Sequence, residues 1–370
     1  MLRKLKENIY DFIKILRFTF GYAKRYKTGN EKNFALKFFE LLIWYIKNRE
    51  FNSNYYGFGL NIKKTQQRHF ISRKEFFNLQ TRIGNELRNT AGCLNINYDV
   101  LTKDKFVATA FLSANKIPCI KNIGLWTNKV IINHDGTIAD PEEYLLNLQF
   151  PIIIKNTVLE YNEGFIKCAK IDGKFMSNGK ITNITKFIDK INACKWVIQE
   201  VQANCGDISA INNTALNTIR IVTILNGLEP IFLTGFHAFA TNGNITDSWG
   251  KGSIYVGINP EESCLKKYGF YHPNVGEISY VEEHPDSKVV FKNYKIKDLN
   301  EAIKICLNAH RLLYFHFAIG WDVAMTENGP MILEANEKPG MNAVQYIDGG
   351  LRREIMQCAN QTIKNIRNKS

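Results

Sequence analysis

The chain has 370 residues, enough for two or three subdomains, and its 45% hydrophobic and 22% charged residues are the composition of an ordinary globular protein. Its 48 Lys and Arg residues exceed the 35 Asp and Glu residues, and the formal net charge of +13 favours phosphorylated substrates, anionic lipid or nucleic acid as partners. Because the chain has neither an aromatic–glycine RNA-binding signature nor Cys/His finger spacing, we predict no nucleic-acid partner.

The eight cysteines are scattered without close pairs, so neither a zinc site nor a disulfide framework is predicted. Such cysteine usage indicates a reducing cytoplasm. The N-terminal stretch lacks the uninterrupted apolar core and the small-residue cleavage site of a secretion signal. No apolar run approaches the roughly 20 residues that a bilayer-spanning helix needs. We therefore expect a protein of the cytoplasm, located either away from the membrane or at its inner face.

The first 90 residues are predicted to form a helical region. From Leu2 to Phe20, apolar residues recur at steps of three and four with lysine and arginine off that stripe, which indicates an amphipathic helix. The segment FALKFFELLIWYIKN is apolar almost all round and predicts a packed helix, and a polar helical stretch covers Arg73 to Arg88. One interpretation is that residues 1–27 rest on anionic lipid, and the other is a helical appendage folded onto the main domain.

From about residue 90 the pattern alternates between strands and helices. A helix is predicted in KFVATAFLSANKIP, a short strand near VIIN, and a helix in DPEEYLLNL with Asp140 as N-cap and Pro141 as its first residue. Strands follow in FPIIIK, EGFIKCAKI and WVIQEV, with the helix NITKFIDKINA before the third. Mixed strands and interspersed helices predict an α+β fold.

The second half of the chain begins with two long predicted strands, NTIRIVTIL and PIFLTGFHAFA. A loop rich in Gly, Asn and Pro then covers about residues 242–287. The helix DLNEAIKICLNAHRLLYFHF leads to a hairpin, IGWDVAMTENGPMILEAN, in which Asn-Gly is the turn signal.

This hairpin carries polar residues inside otherwise apolar strands. Glu334 and Asn336 point the same way because strand side chains alternate faces, and Asp322 lies on the other strand. Two carboxylates and an amide oxygen on adjacent strands are ligands that Mg²⁺ prefers, whereas the alternative is a set of edge-strand residues facing water. Opposed residues share a face, so Asp322 joins the other two only if opposed residue numbers sum to an even value. That requires an odd-length loop or a bulge.

Four earlier signals add charge and polarity at strand or helix ends. Lys105 enters a helix, and Lys155 ends a buried strand, where it can snorkel or hold a phosphate as a point charge. Gln199 and Glu200 follow an apolar strand, as in a segment that reads an adenine edge. Arg220 lies inside a strand of Ile, Val and Thr, and arginine is almost never fully buried unless it is paired.

Taken in order, these residues followed by Asp322, Glu-x-Asn and KPG resemble the ATP-grasp superfamily. More closely, LNTIRIVTIL, HPDSKVVFKNYKI, IGWDVAMTENGPMILEAN and Gln345 with DGGL are similar to its sugar-transfer-associated branch, which occurs among bacterial genes for capsule and surface polysaccharide assembly. The resemblance covers about residues 90–360. It implies an ATP-grasp fold with an N-terminal helical segment, in which two α+β subdomains sandwich ATP.

The resemblance also implies a division of the chain. Residues 1–90 would be the N-terminal helical region, and residues 91–370 the ATP-grasp domain. Within that domain, residues 151–206 would form a lid-like central subdomain and residues 207–370 a C-terminal, metal-binding subdomain. One departure concerns the loop NTVLEYNEGF, which is commonly glycine-rich in the family and here has only Gly164, so fewer backbone amides can cradle phosphates.

By position, the resemblance implies that Lys105 and Lys155 contact phosphates, while Gln199 and Glu200 lie at the adenine and ribose. Arg220 would face the γ-phosphate and acyl-phosphate oxygens as a catalytic residue. The Mg²⁺ ligands would be Asp322, Glu334 and Asn336.

A further stretch, TDSWGKGSIYVGIN, supplies candidates for the acceptor side of the site: Gly250, Gly252 and, as a second catalytic residue, Lys251. The alternative is a plain loop.

The implied activity is that of an ATP- and Mg²⁺-dependent carboxylate–amine ligase acting through an acyl phosphate. Such chemistry needs charge neutralisation and positioning more than covalent help from the protein. We expect the partners to be an amine and a sugar acid, free or linked to a nucleotide or lipid, with an amino acid or amino alcohol joined to a uronic acid or amino sugar. The alternatives are a kinase acting on a sugar or small molecule, and a membrane-surface scaffold with a regulatory ATP site.

Overall fold

The computed structural model describes residues 10, 12–20, 30–93, 96–158, 164–191, 194–248, 252–271 and 279–368. Its strands form two antiparallel sheets. The strands of the first sheet are β1 (Asn122–Thr127), β2 (Val130–Asn133), β3 (Ile138–Ala139), β4 (Ile152–Asn156), β5 (Phe165–Ile171), β6 (Lys174–Ser177), β7 (Lys180–Ile181) and β8 (Trp196–Glu200). Their order across the sheet is β3-β2-β1-β8-β4-β5-β6-β7.

The second sheet has the order β13-β12-β11-β10-β9-β14-β15. Its strands are β9 (Thr218–Asn226), β10 (Glu229–Phe239), β11 (Ile254–Asn259), β12 (Cys264–Tyr271), β13 (Ser279–Val281), β14 (Ala318–Thr326) and β15 (Gly329–Asn336). Both sheets are antiparallel throughout the described residues, so each strand can carry a polar face and an apolar face.

Helices flank the two sheets. They are α1 (residues 12–20), α2 (Phe34–Asn48), α3 (Arg73–Thr90), α4 (Val100–Lys103), α5 (Lys105–Ala114), α6 (Pro141–Leu146), α7 (Ile184–Ile191), α8 (Gly206–Ile211), α9 (Leu299–Leu312), α10 (Met341–Asp348) and α11 (Arg352–Arg367). A 3₁₀ turn covers Gln67–His69. No helix among the described residues is both long enough and apolar enough to cross a membrane.

Capping side chains set where two of these helices begin. Asp140 accepts hydrogen bonds from two backbone N–H groups at the start of α6, and Pro141 is the first residue of that helix, as predicted. Asp104 caps α5 in the same way, through the N–H groups of Phe106 and Val107. The cap fixes Lys105 at the first position of α5, and the position of that lysine is therefore a local consequence of the sequence.

The second sheet is covered by helices on both faces. Ile219 and Ile221 pack on one face with residues of α8 and α9. Val222 and Ile224 pack on the other face with α3, α10 and α11. Alternation places Arg220 on this second face, in register with Phe236 of the neighbouring strand. The helices cover only part of this face, and the cleft described below opens over Arg220.

The first sheet packs α6 and α7 against one face only. Trp126, Ile152 and Ile198 form the core there with Leu145 and Phe187 from the two helices. The other face carries the cleft-lining residues Ile153, Lys155, Phe165 and Gln199. The first sheet thus spans residues 122–200 and begins before residue 151, the start that the sequence suggested for the lid-like subdomain.

The described part of the N-terminal region has its own small core and is joined to the rest by specific contacts. Ile15, Leu41 and Trp44 are buried together with aromatic residues of the 51–70 segment. Helix α3 packs into the core of the second sheet, and the buried Gln345 side chain exchanges two hydrogen bonds with the backbone of Ile71. These contacts anchor residues 71–90 on the C-terminal half of the protein.

One prediction of a loop was wrong. The stretch at about 242–287 contains β11, β12 and β13 in its described part. Its glycines do not all serve turns: a Cβ atom at Gly257 would lie 2.6 Å from Ile347, and one at Gly269 would lie 2.6 Å from Ile254. These glycines allow close packing inside strands, which composition alone cannot distinguish from a loop.

Candidate active site

A cleft of about 1380 Å³ lies between the uncovered face of the first sheet and the second sheet. Its lining includes eight residues that the sequence singled out: Lys105, Lys155, Gln199, Glu200, Arg220, Asp322, Glu334 and Asn336. Gly250 and Lys251 lie outside the described residues, and Gly252, the third candidate for the acceptor side, is not among the residues that line the cleft. The cleft therefore gathers residues from α5, both sheets and the C-terminal hairpin.

Three charged residues form a row across the second sheet. Asp322 on β14 is opposed to Arg220 on β9 and to Glu334 on β15, so the three side chains share a face. Asn336 lies two residues beyond Glu334 and therefore points to the same face. The register condition predicted from the sequence is met by a bulge between Asp322 and Val323, and not by a longer turn.

Arg220 and Asp322 form a two-pronged ion pair. The Nε atom of Arg220 donates to Asp322 Oδ1 at 2.7 Å, and Nη2 donates to Oδ2 at 3.1 Å. Asn336 Nδ2 also donates to Asp322 Oδ2, at 3.3 Å. Burial raises the pKa of Asp322, and the adjacent guanidinium works against that rise. The pair is thus the charge-assisted, geometrically fixed kind of contact that holds both side chains in place.

A glycine makes room for this pair. A Cβ atom at Gly320 would lie 2.8 Å from the Cα atom of Pro339 and 3.0 Å from Arg220 Nη1. Any larger residue at 320 would therefore displace either the guanidinium or the backbone of the Lys-Pro-Gly turn that follows β15.

Two lysines face the charged row. Lys105 Nζ lies 3.4 Å from a carboxylate oxygen of Glu334. Lys155 Nζ lies 5.8 Å from the centre of the Phe165 ring, and among the described residues it has no carboxylate oxygen within 4.0 Å. Burial lowers the pKa of Lys155, with the charge of Glu334 opposing the change. Lys155 is therefore a desolvated cation whose charge the described protein groups leave largely uncompensated.

Gln199 and Glu200 point to opposite sides of β8. Gln199 Nε2 donates to Asn122 Oδ1 at 3.1 Å, while its Oε1 is buried without a hydrogen-bond partner among the described residues. Glu200 ends the strand and lies at the edge of the cleft, with Lys121 Nζ 3.8 Å from its carboxylate. A buried amide oxygen without a partner is costly, which marks Gln199 as a group that a ligand can satisfy.

Sequence reasoning missed Asp247, a further carboxylate in the cleft. Thr218 donates to Asp247 Oδ2 through its backbone N–H at 2.8 Å and through its hydroxyl at 2.6 Å. Burial raises the pKa of Asp247 to about 6. Thr218 precedes Arg220 by two residues, so strand alternation places it on the same face. Because Asp247 lies 29 residues away, no local pattern could have joined it to Thr218.

The donor set can be compared with what Mg²⁺ and ATP require. Asp322, Glu334 and Asn336 offer two carboxylates and an amide oxygen on adjacent strands, which is the chemistry of a hard-cation site. Lys105, Lys155 and Arg220 lie around them as phosphate-binding cations, and the Gln199 oxygen offers an acceptor to an amino group. The residues fit both groups.

A family model described as sugar-transfer associated ATP-grasp matches residues 102–360. No curated protein matches the chain. Among solved structures, the chain is similar to an ADP complex of N5-carboxyaminoimidazole ribonucleotide synthetase, with 11% identity over 64% of this chain and 45% of that one, and a TM-score of 0.35.

Two further solved structures are similar to the chain at the same low level. One is D-alanine–D-alanine ligase from Bacillus anthracis complexed with ATP, with 12% identity, coverage of 73% of this chain and 67% of that one, and a TM-score of 0.37. The other is L-amino acid ligase from Bacillus licheniformis, with 10% identity, coverage of 73% and 51%, and a TM-score of 0.40. The chain spans less than half of the synthetase and about half of the amino acid ligase.

Proposed function

The chain belongs to the sugar-transfer associated ATP-grasp family, and from this premise we propose that it is an ATP- and Mg²⁺-dependent carboxylate–amine ligase. The family match confirms the ATP-grasp enzyme and fold predicted from the sequence. The proposed reaction forms an amide bond between an amino acid or amino alcohol and a uronic acid or amino sugar in bacterial surface polysaccharide biosynthesis. Its proposed location is the cytoplasm.

The observation that carries the proposal is the charged row of Arg220, Asp322 and Glu334, which faces Lys105 and Lys155 across one cleft. Five ionic groups of both signs on facing walls suit a ligand that is itself strongly charged and bound through a metal ion. Phosphoryl transfer is accelerated mainly by such charge neutralisation and by positioning.

Each residue has a role that matches its surroundings. Lys105 and Lys155 would hold phosphate oxygens as point charges, which would also compensate the buried charge of Lys155. Gln199 Oε1 would accept a hydrogen bond from the amino group of adenine, and Glu200 would lie near the ribose. Asp322, Glu334 and Asn336 would hold Mg²⁺, which when bound neutralises negative charge on the phosphates.

The proposed chemistry has two balanced steps. A carboxylate oxygen of the sugar acid attacks the γ-phosphorus of ATP, and the bond to the ADP oxygen breaks. The amine then attacks the acyl carbon, inorganic phosphate leaves, and the nitrogen loses a proton. The ion pair with Asp322 uses Nε and Nη2 of Arg220, so Nη1 is left to donate to the negative oxygens that develop in both steps.

Trapping with hydroxylamine tests this proposal. Hydroxylamine should intercept an acyl phosphate and yield a hydroxamate whose formation depends on both ATP and the sugar acid. A kinase that passes phosphate to a hydroxyl makes a stable ester, which hydroxylamine leaves unchanged. A stable phosphorylated product without hydroxamate would make the kinase the better assignment, and ATP turnover independent of any added acid would favour the scaffold.

A further inference from the structure

Part of the cleft wall, which we call its outer part, includes residues that lie outside the family match. Asn54, Arg73 and Phe77 precede residue 102, where the match begins, yet they line the same cleft as Arg220. The cleft volume of about 1380 Å³ exceeds the ~300–1,000 Å³ of a pocket that holds one drug-sized ligand. Space therefore remains beside a bound nucleotide, and the N-terminal region helps to shape it.

Two cations converge on one aromatic ring in this outer part. Arg73 Cζ lies 5.2 Å and Lys338 Nζ lies 5.6 Å from the centre of the Phe77 ring. Among the described residues, Arg73 has no carboxylate oxygen within 4.0 Å, and the nearest one to Lys338, from Glu337, is at 4.0 Å. Both cations thus lie within about 6 Å of the centre of one ring, and an anion bound beside that ring would interact favourably with each of them.

Aromatic rings held by other contacts lie along the same space. Tyr255 stacks on Phe236 with ring centres 4.4 Å apart, and Tyr346 stacks on Phe270 at 4.6 Å. The Tyr346 hydroxyl donates to Asn54 Oδ1, which ties this ring to the N-terminal region. Tyr255, Phe236 and Tyr346 all line the cleft. Rigid aromatic faces with a few polar groups suit the apolar face of a sugar ring.

We propose that this outer subsite, formed by Arg73, Phe77 and Lys338, binds the phosphate or diphosphate of a phosphate-linked sugar acid. The inference rests on the proposed function, because the acid's carboxylate must reach the Arg220 end of the cleft to be activated. The sugar ring lies between the two ends, along the aromatic residues. The acceptor is therefore a sugar acid attached to a carrier phosphate and not the free acid.

Binding measurements test the subsite without requiring turnover. Isothermal titration of the full chain, with a non-hydrolysable ATP analogue and Mg²⁺, would compare UDP-glucuronate, glucuronate 1-phosphate and free glucuronate. Arg73→Gln and Lys338→Gln should each weaken binding of the two phosphate-linked sugars about 10-fold and leave free glucuronate and the ATP analogue unchanged. Arg82→Gln, on the same helix but away from the cleft, is the matched control and should change nothing.

The outcomes separate the subsite from the proposed reaction. The proposed subsite would be overturned if binding of all three sugars weakened equally, or if binding weakened in neither variant. It would also be overturned if no phosphate-linked sugar bound. Tighter binding of UDP-glucuronate than of glucuronate 1-phosphate would support a nucleotide carrier, and the reverse order would support a lipid phosphate. Arg73-dependent binding without any hydroxamate would leave the subsite standing and overturn the proposed ligase chemistry.

A second, independent observation concerns the outer surface of α1 and α2. Large apolar side chains are exposed there at helical spacing in α2: Leu36, Phe39, Ile43 and Ile46, the last three at 56–58% exposure. Helix α1 adds the exposed side chains of Phe12, Ile13 and Phe20. The opposite side of both helices is buried in the small N-terminal core. The two helices are thus apolar on both sides, and only one side is covered by described residues.

The exposed charged side chains in residues 12–20 and 34–48 are all basic. Lys14, Arg17 and Lys47 are exposed. The acidic side chain within residues 12–20 and 34–48, Glu40, is held by Lys32 at 2.8 Å and by the Tyr55 hydroxyl at 2.5 Å. An exposed apolar surface with exposed cations and no exposed carboxylate in these stretches complements a negatively charged lipid surface.

We infer that this surface, made by the exposed residues of α1 and α2, rests on a membrane that contains anionic lipid. The insertion of apolar side chains supplies affinity, and the cations supply the preference for anionic headgroups. Lipid contact of residues 1–27 is one of the two interpretations of the sequence, and we extend this proposed contact to α2.

Vesicle co-sedimentation of the full chain tests this contact. Binding to phosphatidylcholine vesicles with 30% phosphatidylglycerol should exceed binding to pure phosphatidylcholine, and 0.5 M salt should reduce it because the Debye length falls to a few ångströms. The double variant Ile43→Gln/Ile46→Gln should lose most of the binding. Ile138→Gln/Ile181→Gln, which changes two exposed isoleucines elsewhere, should keep it. Binding indifferent to lipid charge, or a dimer in solution that the Ile43→Gln/Ile46→Gln variant breaks without any lipid binding, would overturn the inference.

Discussion

The two walls of the cleft differ in how their charges are satisfied. On the second sheet, Arg220 and Asp322 neutralise each other through two short hydrogen bonds, with Asn336 attached to the same carboxylate. On the first sheet, Lys155 has no carboxylate within 4.0 Å among the described residues, and the Gln199 oxygen is buried without a partner there. The Arg220–Asp322 pair on the second sheet is therefore satisfied without a ligand. On the first sheet, the Lys155 charge and the Gln199 oxygen lack such partners among the described residues.

This difference indicates that the two walls have different roles, a division that follows from how their charges are paired. A paired, two-pronged contact keeps its geometry before the substrate arrives, so the second sheet is suited to hold a metal ion and to stabilise charge during the reaction. Buried groups without partners cost stability, and a ligand that satisfies them gains that free energy as affinity. The first sheet is therefore suited to bind the nucleotide. Substitutions on each wall test this division.

Glu334→Gln should reduce Mg²⁺-ATP turnover by on the order of 10³-fold or more, because it removes a ligand charge without changing side-chain volume. The melting temperature should change little, since Glu334 is partly exposed and its contact to Lys105 is 3.4 Å long. Glu327→Gln at the turn of the same hairpin is the control and should turn over normally. Wild-type activity in Glu334→Gln would remove this residue from the metal site.

Arg220→Lys keeps the charge but loses the planar fork, so it should slow turnover by about 10²–10³-fold while ATP affinity changes much less. The measurement is the turnover rate beside nucleotide affinity in the same variant. Arg311→Lys, which changes an exposed pair with Glu229, serves as the control. If ATP affinity fell as much as the rate, Arg220 would act in nucleotide binding. The proposed difference in role between the two walls would then be wrong.

Lys155→Met should weaken nucleotide binding about 10- to 100-fold, because a desolvated phosphate contact is lost. Its free energy of unfolding without ligand should stay the same or rise, since Met removes a desolvated charge that has no carboxylate oxygen within 4.0 Å among the described residues. Equilibrium denaturation and nucleotide titration measure the two effects. Lys180→Met, at an exposed position of β7, should alter neither. A large loss of stability in Lys155→Met would show that this wall is paired after all.

Asp247→Asn should change the pH dependence of stability. The pKa of Asp247 is raised from 3.8 to about 6 by burial, so the folded protein holds a proton that the unfolded chain has already released between these values. Wild type should therefore lose stability relative to Asp247→Asn as pH rises from about 4 to 7, by about 2–3 kcal/mol in all. Above that pH the difference between the two proteins should be constant. Parallel melting curves from pH 4 to 7 would contradict the raised pKa.

Much of the site could be predicted from local sequence because its signals are local. The period of two in a strand places Glu334 and Asn336 on one face, and a charged residue inside a run of Ile and Val marks Arg220. The N-caps of α5 and α6 follow from aspartates at their first turns. The order of these polar residues along the chain was sufficient to predict the ATP-grasp family, and the family match confirms that prediction.

Other features depended on contacts between distant segments. Asp322 faces Glu334 through a bulge in the hairpin and faces Arg220 through pairing with the distant strand β9, and hairpin length alone reveals neither contact. Asp247 lies in the cleft with its carboxylate hydrogen-bonded to Thr218, and Arg73 lies there on α3, which packs on the second sheet. Residue order thus determined which side chains carry chemistry and which face of their strand they occupy. Tertiary packing decided which of them meet, because strand register and helix docking depend on the sum of many distant apolar contacts and not on any local pattern.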